Sequence, residues 1–153
     1  ASGRAYWQAS AHPTTGLMPM RAFFDGTPVA GSESFNSECT RIFFNIVLDG
    51  IWSGRKPWLV MESNRLLQFF YARGIDKYGH MFSLDGTPLQ SFHDRALVAA
   101  NGTLSLIATD DIRRDFVSEV WDLGMPTTGS TRYYSGLLHM LALVLLSGQL
   151  RVL

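Results

Sequence analysis

The sequence predicts an all-α protein with three inner helices backed by three outer ones, as in a barrel, and two short β-hairpins between them. Three observations carry this. The stretches at about 37–52, 94–108 and 133–146 are apolar nearly all round, and a helix without a polar face has to be buried. They alternate with more polar stretches, the tail of a helix at 1–11 and amphipathic segments at 58–73 and 110–123. The tetrapeptide Asp-Gly-Thr-Pro occurs at Asp25 and again at Asp85, 60 residues later, each time between an aromatic strand and a polar loop that leads into an apolar helix. Hairpin, buried helix and exposed helix thus form a repeat. An ordinary helical bundle with two hairpins is the competing architecture.

Taken in order, Ala5, Tyr6, Trp7 and Ala9 give a helix end without a capping residue, stopped at His12-Pro13-Thr14-Thr15-Gly16. Arg21 to Val29 reads as a strand and tight turn. The first buried helix opens polar, with Glu38 in its first turn and Arg41 three residues on, and ends at Ser53-Gly54. Pro57 suits a first helical position and Gly74 a stop. The helix between them carries Glu62, Asn64, Arg65, Gln68 and Arg73 as its polar side. Met81 to Leu89 repeats the strand and turn. Asp94 to Ala108 is the second buried helix, Asp110 is read as the cap of an outer helix ending near Leu123, and Tyr133 to Leu146 is the third buried helix.

The 153 residues make one domain, 1–153, long enough to bury a core. Zero net charge provides no basic field for nucleic acid and no basic amphipathic face for a membrane. The longest apolar run, Met140 to Leu146, is far short of the roughly 20 residues a spanning helix needs. No basic-then-apolar leader is visible, so the chain reads as cytoplasmic or as secreted after loss of its signal. The single Cys39 excludes an intrachain disulfide and reads as a small buried residue. No histidine pair has ligand spacing, so neither a metal nor a cofactor is expected.

Glu38 leads the candidate site residues. The first helical turn and Arg41 both favour its ionised form. A carboxylate at a cavity mouth can activate water, and the same pair can equally be a stabilising helix start. Asp25 and Asp85 read as turn residues. His93 either points into the same cavity or bonds backbone at the entry to the second buried helix. Arg132, Tyr133 and Tyr134 open the third, where aromatic faces and hydroxyls suit sugar rings; one tyrosine is expected in the core. Phe24, with Trp7 and Phe23, could extend that surface. No phosphate loop, nucleophile elbow or nucleotide fingerprint is present.

These motifs resemble glycoside hydrolase family 8, in particular its reducing-end xylose-releasing exo-oligoxylanases. The matching residues are His12-Pro13-x-Thr15-Gly16-Leu17-x-Pro19, Phe24-Asp25-Gly26-Thr27-Pro28, Arg41-x-x-x-Asn45-Ile46-x-x-Asp49-x-x-Trp52, Asp85-Gly86-x-Pro88, and Arg132-Tyr133-Tyr134 through Leu146-Ser147-Gly148. The resemblance implies an (α/α)6 barrel and inverting hydrolysis of β-1,4-linked xylan, glucan or chitosan chains. It places Glu38 where the family has its general base, an aspartate. It covers only the C-terminal three hairpin-and-helix units, so the general acid, a glutamate of the N-terminal half, has no counterpart here, and the chain begins inside an outer helix. It implies binding roles for Arg41, His93, Arg132, Tyr133, Tyr134 and Phe24, with His93 falling in a loop that shapes the reducing-end subsites. An open half barrel exposes the flanks of its inner helices, so another copy or a complementary half is the expected partner, besides a β-1,4-linked oligosaccharide. A non-catalytic sugar-binding or structural half barrel is the alternative.

Overall fold

The computed structural model describes residues 3–127, 129 and 132–150; the expected helix start at Ala1 and part of the loop before Arg132 lie outside them. Helix α1 spans Gly3–Ser10, α2 Thr40–Ser53, α3 Pro57–Tyr71, α4 Arg95–Leu104, α5 Arg113–Asp122 and α6 Tyr134–Leu146, and strands β1 (Met81–Phe82) and β2 (Pro88–Gln90) form an antiparallel pair between α3 and α4. The inner row is α2, α4, α6. The middle helix α4 packs against both of the others and against α3 and α5, and all residues from Ala96 to Leu104 are buried. The amphipathic helices lie outside, α5 burying only Phe116 and Val120.

Close helix approach depends on small residues at two crossings. A Cβ on Gly50 of α2 would meet Ile107, and one on Gly102 of α4 would meet Val120 of α5. The densest part of the core is aromatic. Phe70 lies within 6.4 Å, ring centre to ring centre, of Phe35, Phe43, Phe69, Tyr78 and Phe82, which joins the first inner helix, its outer neighbour and β1.

The repeat is visible in atomic detail. In each Asp-Gly-Thr-Pro turn the aspartate Oδ1 accepts the amide of the threonine two residues on, at 2.9 Å for both Asp25 and Asp85. Each turn docks by its glycine on the preceding outer helix. A Cβ on Gly26 would strike the Ala9 carbonyl of α1, and one on Gly86 would lie 2.8 Å from the Phe69 ring of α3. Arg73 stacks on that ring, 3.5 Å from its centre, and donates to the Gly86 carbonyl.

Three expectations are corrected. The first hairpin reduces to a single bridge, Ala22 to Pro28. The chain turns again directly afterwards, where Ser32 N–H donates to Val29 O and Gly31 takes a φ of 77°, so no ladder extends. Asp110 is not a helix cap. Its carboxylate takes the Gln68 side chain, and α5 starts only at Arg113 with no side-chain cap. Glu62 is not on the solvent side of α3 but fully buried. Leu59, Glu62, Leu66 and Phe69 follow helical spacing, so Glu62 falls within the apolar stripe.

Candidate active-site region

The chain enters α2 through a 3-10 turn, Ser37–Cys39, that Asn36 caps. The Asn36 carboxamide oxygen accepts the Glu38 amide at 2.9 Å, and the Asn36 amide group donates to Met20 Sδ. One residue earlier Phe35 exchanges two backbone hydrogen bonds with Phe82 of β1, at 2.9 and 3.1 Å. The backbone carrying Glu38 is therefore fixed from both sides, by the hairpin strand and by the cap. Its side chain extends into solvent, about half exposed, and one carboxylate oxygen, Oε2, is held by the Arg41 guanidinium. Arg41 also donates to the Glu38 carbonyl at 3.2 Å. Cys39, next in sequence, is inert by comparison: burial pushes its thiol up to about 11.

His93 lies in the segment entering α4, whose cap is Asp94, with Oδ1 accepting the Ala96 amide at 3.1 Å. Both ring nitrogens are engaged: Nδ1 with the Tyr78 carbonyl and Nε2 with Glu119 Oε1, each at 2.8 Å. The Glu119 carboxylate raises the histidine's pKa and overrides burial, which pulls it down. Tyr78 OH completes the group, donating to Glu119 Oε2 at 3.1 Å. His93 thus joins the mouth of α4 to the outer helix α5.

At the entry to α6, Tyr133 is 78% exposed, whereas Tyr134 is half-buried with its hydroxyl enclosed. Neither tyrosine is in the core, contrary to the expectation that one would be; Tyr134 only turns its hydroxyl inward. Arg132 and Tyr133 line a cavity of about 590 Å³ together with Met125, Leu137 and Met140. Phe24 stands 91% exposed at the tip of the first turn, edge-on to Tyr6 with ring centres 6.4 Å apart. Of the candidates, Glu38 and Arg41 are brought into direct contact. Among the described residues, His93, Arg132, Tyr133, Tyr134 and Phe24 share no hydrogen bond or ring contact with Glu38. Sequence reasoning passed over Asn36 and Glu119, which hold Glu38 and His93. The run Asn36-Ser37-Glu38 before an apolar helix carried the cap signal; Glu119 had none, being 26 residues from His93.

Among the described residues, no group of His, Cys, Asp or Glu is arranged to hold a metal ion, and no helix is long and apolar enough to cross a membrane.

No protein-family profile matches the sequence. Individual proteins do. Over 99% of its length the chain is 33% identical to the reducing-end xylose-releasing exo-oligoxylanase Rex8A of Paenibacillus barcinonensis, covering 41% of that protein. It is equally 33% identical to a reducing-end xylose-releasing exo-oligoxylanase of Halalkalibacterium halodurans, covering 40%. A xylobiose complex of a family 8 glycoside hydrolase from Teredinibacter turnerae superposes with a TM-score of 0.89 at 36% identity, over 97% of this chain and 38% of the other.

The chain is similar to part of a family 8 glycoside hydrolase.

It spans about two-fifths of the length of these relatives, and its helices form a fragment of the (α/α)6 barrel. The similarity extends to a Rex8A variant solved with an arabinofuranosyl-xylotetraose, again at a TM-score of 0.89. The half toroid of alternating inner and outer helices is thus a piece of the family 8 architecture.

Proposed function

We propose that this chain forms the base-bearing part of an inverting glycoside hydrolase acting on β-1,4-linked xylo-oligosaccharides. One observation carries the reading. Glu38 sits in the 3-10 turn that leads into an inner helix, not in the helix's own first turn. It is held through its backbone and has its half-exposed carboxylate bonded to Arg41 through one oxygen, in a chain similar from end to end to family 8 xylan-degrading enzymes. Related β-glucans are the wider substrate class.

In such a reaction Glu38 takes a proton from a water molecule as the water oxygen attacks the anomeric carbon. An acid on the opposite face protonates the departing glycosidic oxygen. The two carboxyls of an inverting enzyme stand about 6.5–9.5 Å apart, leaving room for that water. Arg41 holds one carboxylate oxygen and so keeps the group aimed. The resemblance assigns the acid to the part of the enzyme this chain does not include, so turnover requires a second chain or segment. Glutamate in place of the family's aspartate reaches one methylene further, which shifts the activated water by about an ångström and slows the reaction. Tyr133, Phe24 and Arg132 supply sugar-facing surface, and Arg41 the charge at the mouth. His93 contributes by holding the α4 entry rather than through a free ring nitrogen.

A second reading is a non-catalytic half barrel that binds sugar or serves as scaffold. It is favoured by the pairing of Glu38 with Arg41 and by the absence, among the described residues, of any second carboxylate in contact with it. Xylotriose and cellotetraose, incubated with the chain alone and with a partner half carrying the acid, separate the two, with product anomers read by NMR. Inverted xylose released only with the partner, and lost about 10²–10⁴-fold in Glu38→Gln, supports the base role. Sugar binding without release in both arms supports the scaffold and refutes the base.

A further inference from the structure

Helix α3 buries a carboxylate and leaves half of it unbonded. Glu62 is fully buried, and its Oε2 accepts from Arg65 at 3.1 Å. Its Oε1 has no hydrogen-bond partner among the described residues. An ionised oxygen there has lost its water without a replacement, which favours the protonated form. Burial pushes the carboxyl up to about 7, against the pull of Arg65.

The loop from His12 to Leu17 is what keeps water out. Gly16 lies directly over the carboxylate. With its φ of 74°, a Cβ there would stand 2.7 Å from Glu62 Oε1 and 3.2 Å from both Arg65 and Leu66. Most of the loop's hydrogen bonds are internal: the Gly16 amide donates to His12 O and the His12 amide to Leu17 O, both at 2.9 Å. Among the described residues, two hydrogen bonds tie it to other elements. Arg65 donates to His12 O at 3.4 Å, and Thr15 Oγ1 donates to Leu84 O at 2.7 Å. Leu17 and Met18, buried in the core, anchor its far end. The charged and titratable groups around Glu62 are Arg65 on its own helix and His12 in the loop. Beyond the loop, at the second turn, stand Asp85, which His12 attracts, and Arg73, which bonds Gly86 O.

A segment with so few ties to its surroundings opens at a lower cost than the core helices. We propose that the loop from His12 to Gly16 is a proton-controlled latch, seated on α3 while Glu62 is protonated and lifting to admit water when that carboxyl ionises. Lifting breaks the bond from Thr15 to Leu84. Two residues before Leu84 is Phe82, whose backbone hydrogen bonds with Phe35 fix the approach to Glu38. The latch thus bears on the backbone beneath Glu38, and it does not depend on Glu38 turning over substrate.

Native-state hydrogen exchange of the intact chain, followed by NMR in water and in urea below the unfolding transition, tests this. Rates are corrected for the intrinsic effect of pH. The His12 and Gly16 amides are expected to exchange faster than those of α4 and independently of urea, because a local opening exposes little surface. Their protection is expected to fall at least tenfold between about pH 5 and about pH 8 and to level off above the buried value. The reason is that the hydrated carboxyl of the open loop ionises from 4.5 upward, while the covered one holds its proton to about 7. In Glu62→Gln the protection is expected to be equal at the two pH values. His12→Asn is expected to keep the wild-type change, which excludes the loop's own histidine as the titrating group. Loop amides that match α4 in rate and urea dependence overturn the latch, because the loop then opens only when the protein unfolds. A wild-type protection that does not change with pH overturns it too. So does a change that persists in Glu62→Gln or vanishes in His12→Asn. Circular dichroism checks that the variants are folded, and the wild-type profile with His12→Asn decides alone if Glu62→Gln is not.

Discussion

Replacing Glu62 by glutamine should stabilise the protein at alkaline pH and change little at acidic pH. Glu62 is fully buried on α3, beneath the loop from His12 to Leu17. Its Oε2 accepts from Arg65 at 3.1 Å, while Oε1 has no hydrogen-bond partner. Loss of hydration dominates over the attraction of Arg65 and pushes the carboxyl up from 4.5 to about 7. The folded state therefore binds the proton more tightly than the unfolded chain does. Between the unfolded value and about 7 the unfolded chain has the fewer protons bound, so stability falls as pH rises through that window and levels off above it. The full loss corresponds to about 3 kcal/mol. Glutamine keeps the shape without the charge. Urea unfolding at pH 8.5 should show Glu62→Gln more stable than the wild type by about 1–3 kcal/mol. At pH 4.5 the two should agree to within about 1 kcal/mol. Equal destabilisation at both pH values would refute the reasoning. It would mean that Glu62 stays ionised and that its pairing with Arg65, which also donates to the His12 carbonyl at 3.4 Å, holds the loop.

The His93 group has a pH dependence of the same sign. Its raised pKa places its contribution at pH values below the unfolded value of 6.5, and the contribution is lost as pH rises through the folded one; His93→Gln should cost about 1–2 kcal/mol at pH 5.5 and less at pH 9, read by denaturant midpoints. Phe70→Ala removes the ring shared by five aromatic neighbours and should cost about 3–5 kcal/mol in the same measurement. Gly26→Ala places a methyl group against the Ala9 carbonyl at a φ of 90°; it should lower the melting temperature by several degrees and raise amide exchange at Thr27 and Val29.

The alternation of all-apolar and amphipathic stretches was enough to order the inner and outer helices, because burial on all sides leaves a helix no polar face. The doubled Asp-Gly-Thr-Pro was enough to place both turns, because the aspartate–threonine hydrogen bond that closes them is local. Glu38 and Arg41, three residues apart across the 3-10 turn and the start of α2, were legible as a pair for the same reason. Local signals failed where a partner was distant. Nothing near His93 announces Glu119, and nothing near Asp110 announces Gln68, so one became a bolt between layers and the other lost its cap. Glu62 was legible in principle from its place in the Leu59, Leu66 and Phe69 stripe, but its charge argued for the surface, and only packing beneath the His12–Leu17 loop shows which consideration prevailed.

The sequence by itself thus determined the helices, their layering, both turns and the charged mouth of α2, all set by periodicity and short-range hydrogen bonds. Tertiary structure alone decided which carboxylate is buried, which tyrosine faces solvent and how His93 is held. Those outcomes depend on what chain segments far apart in sequence present to one another, and no local pattern encodes that.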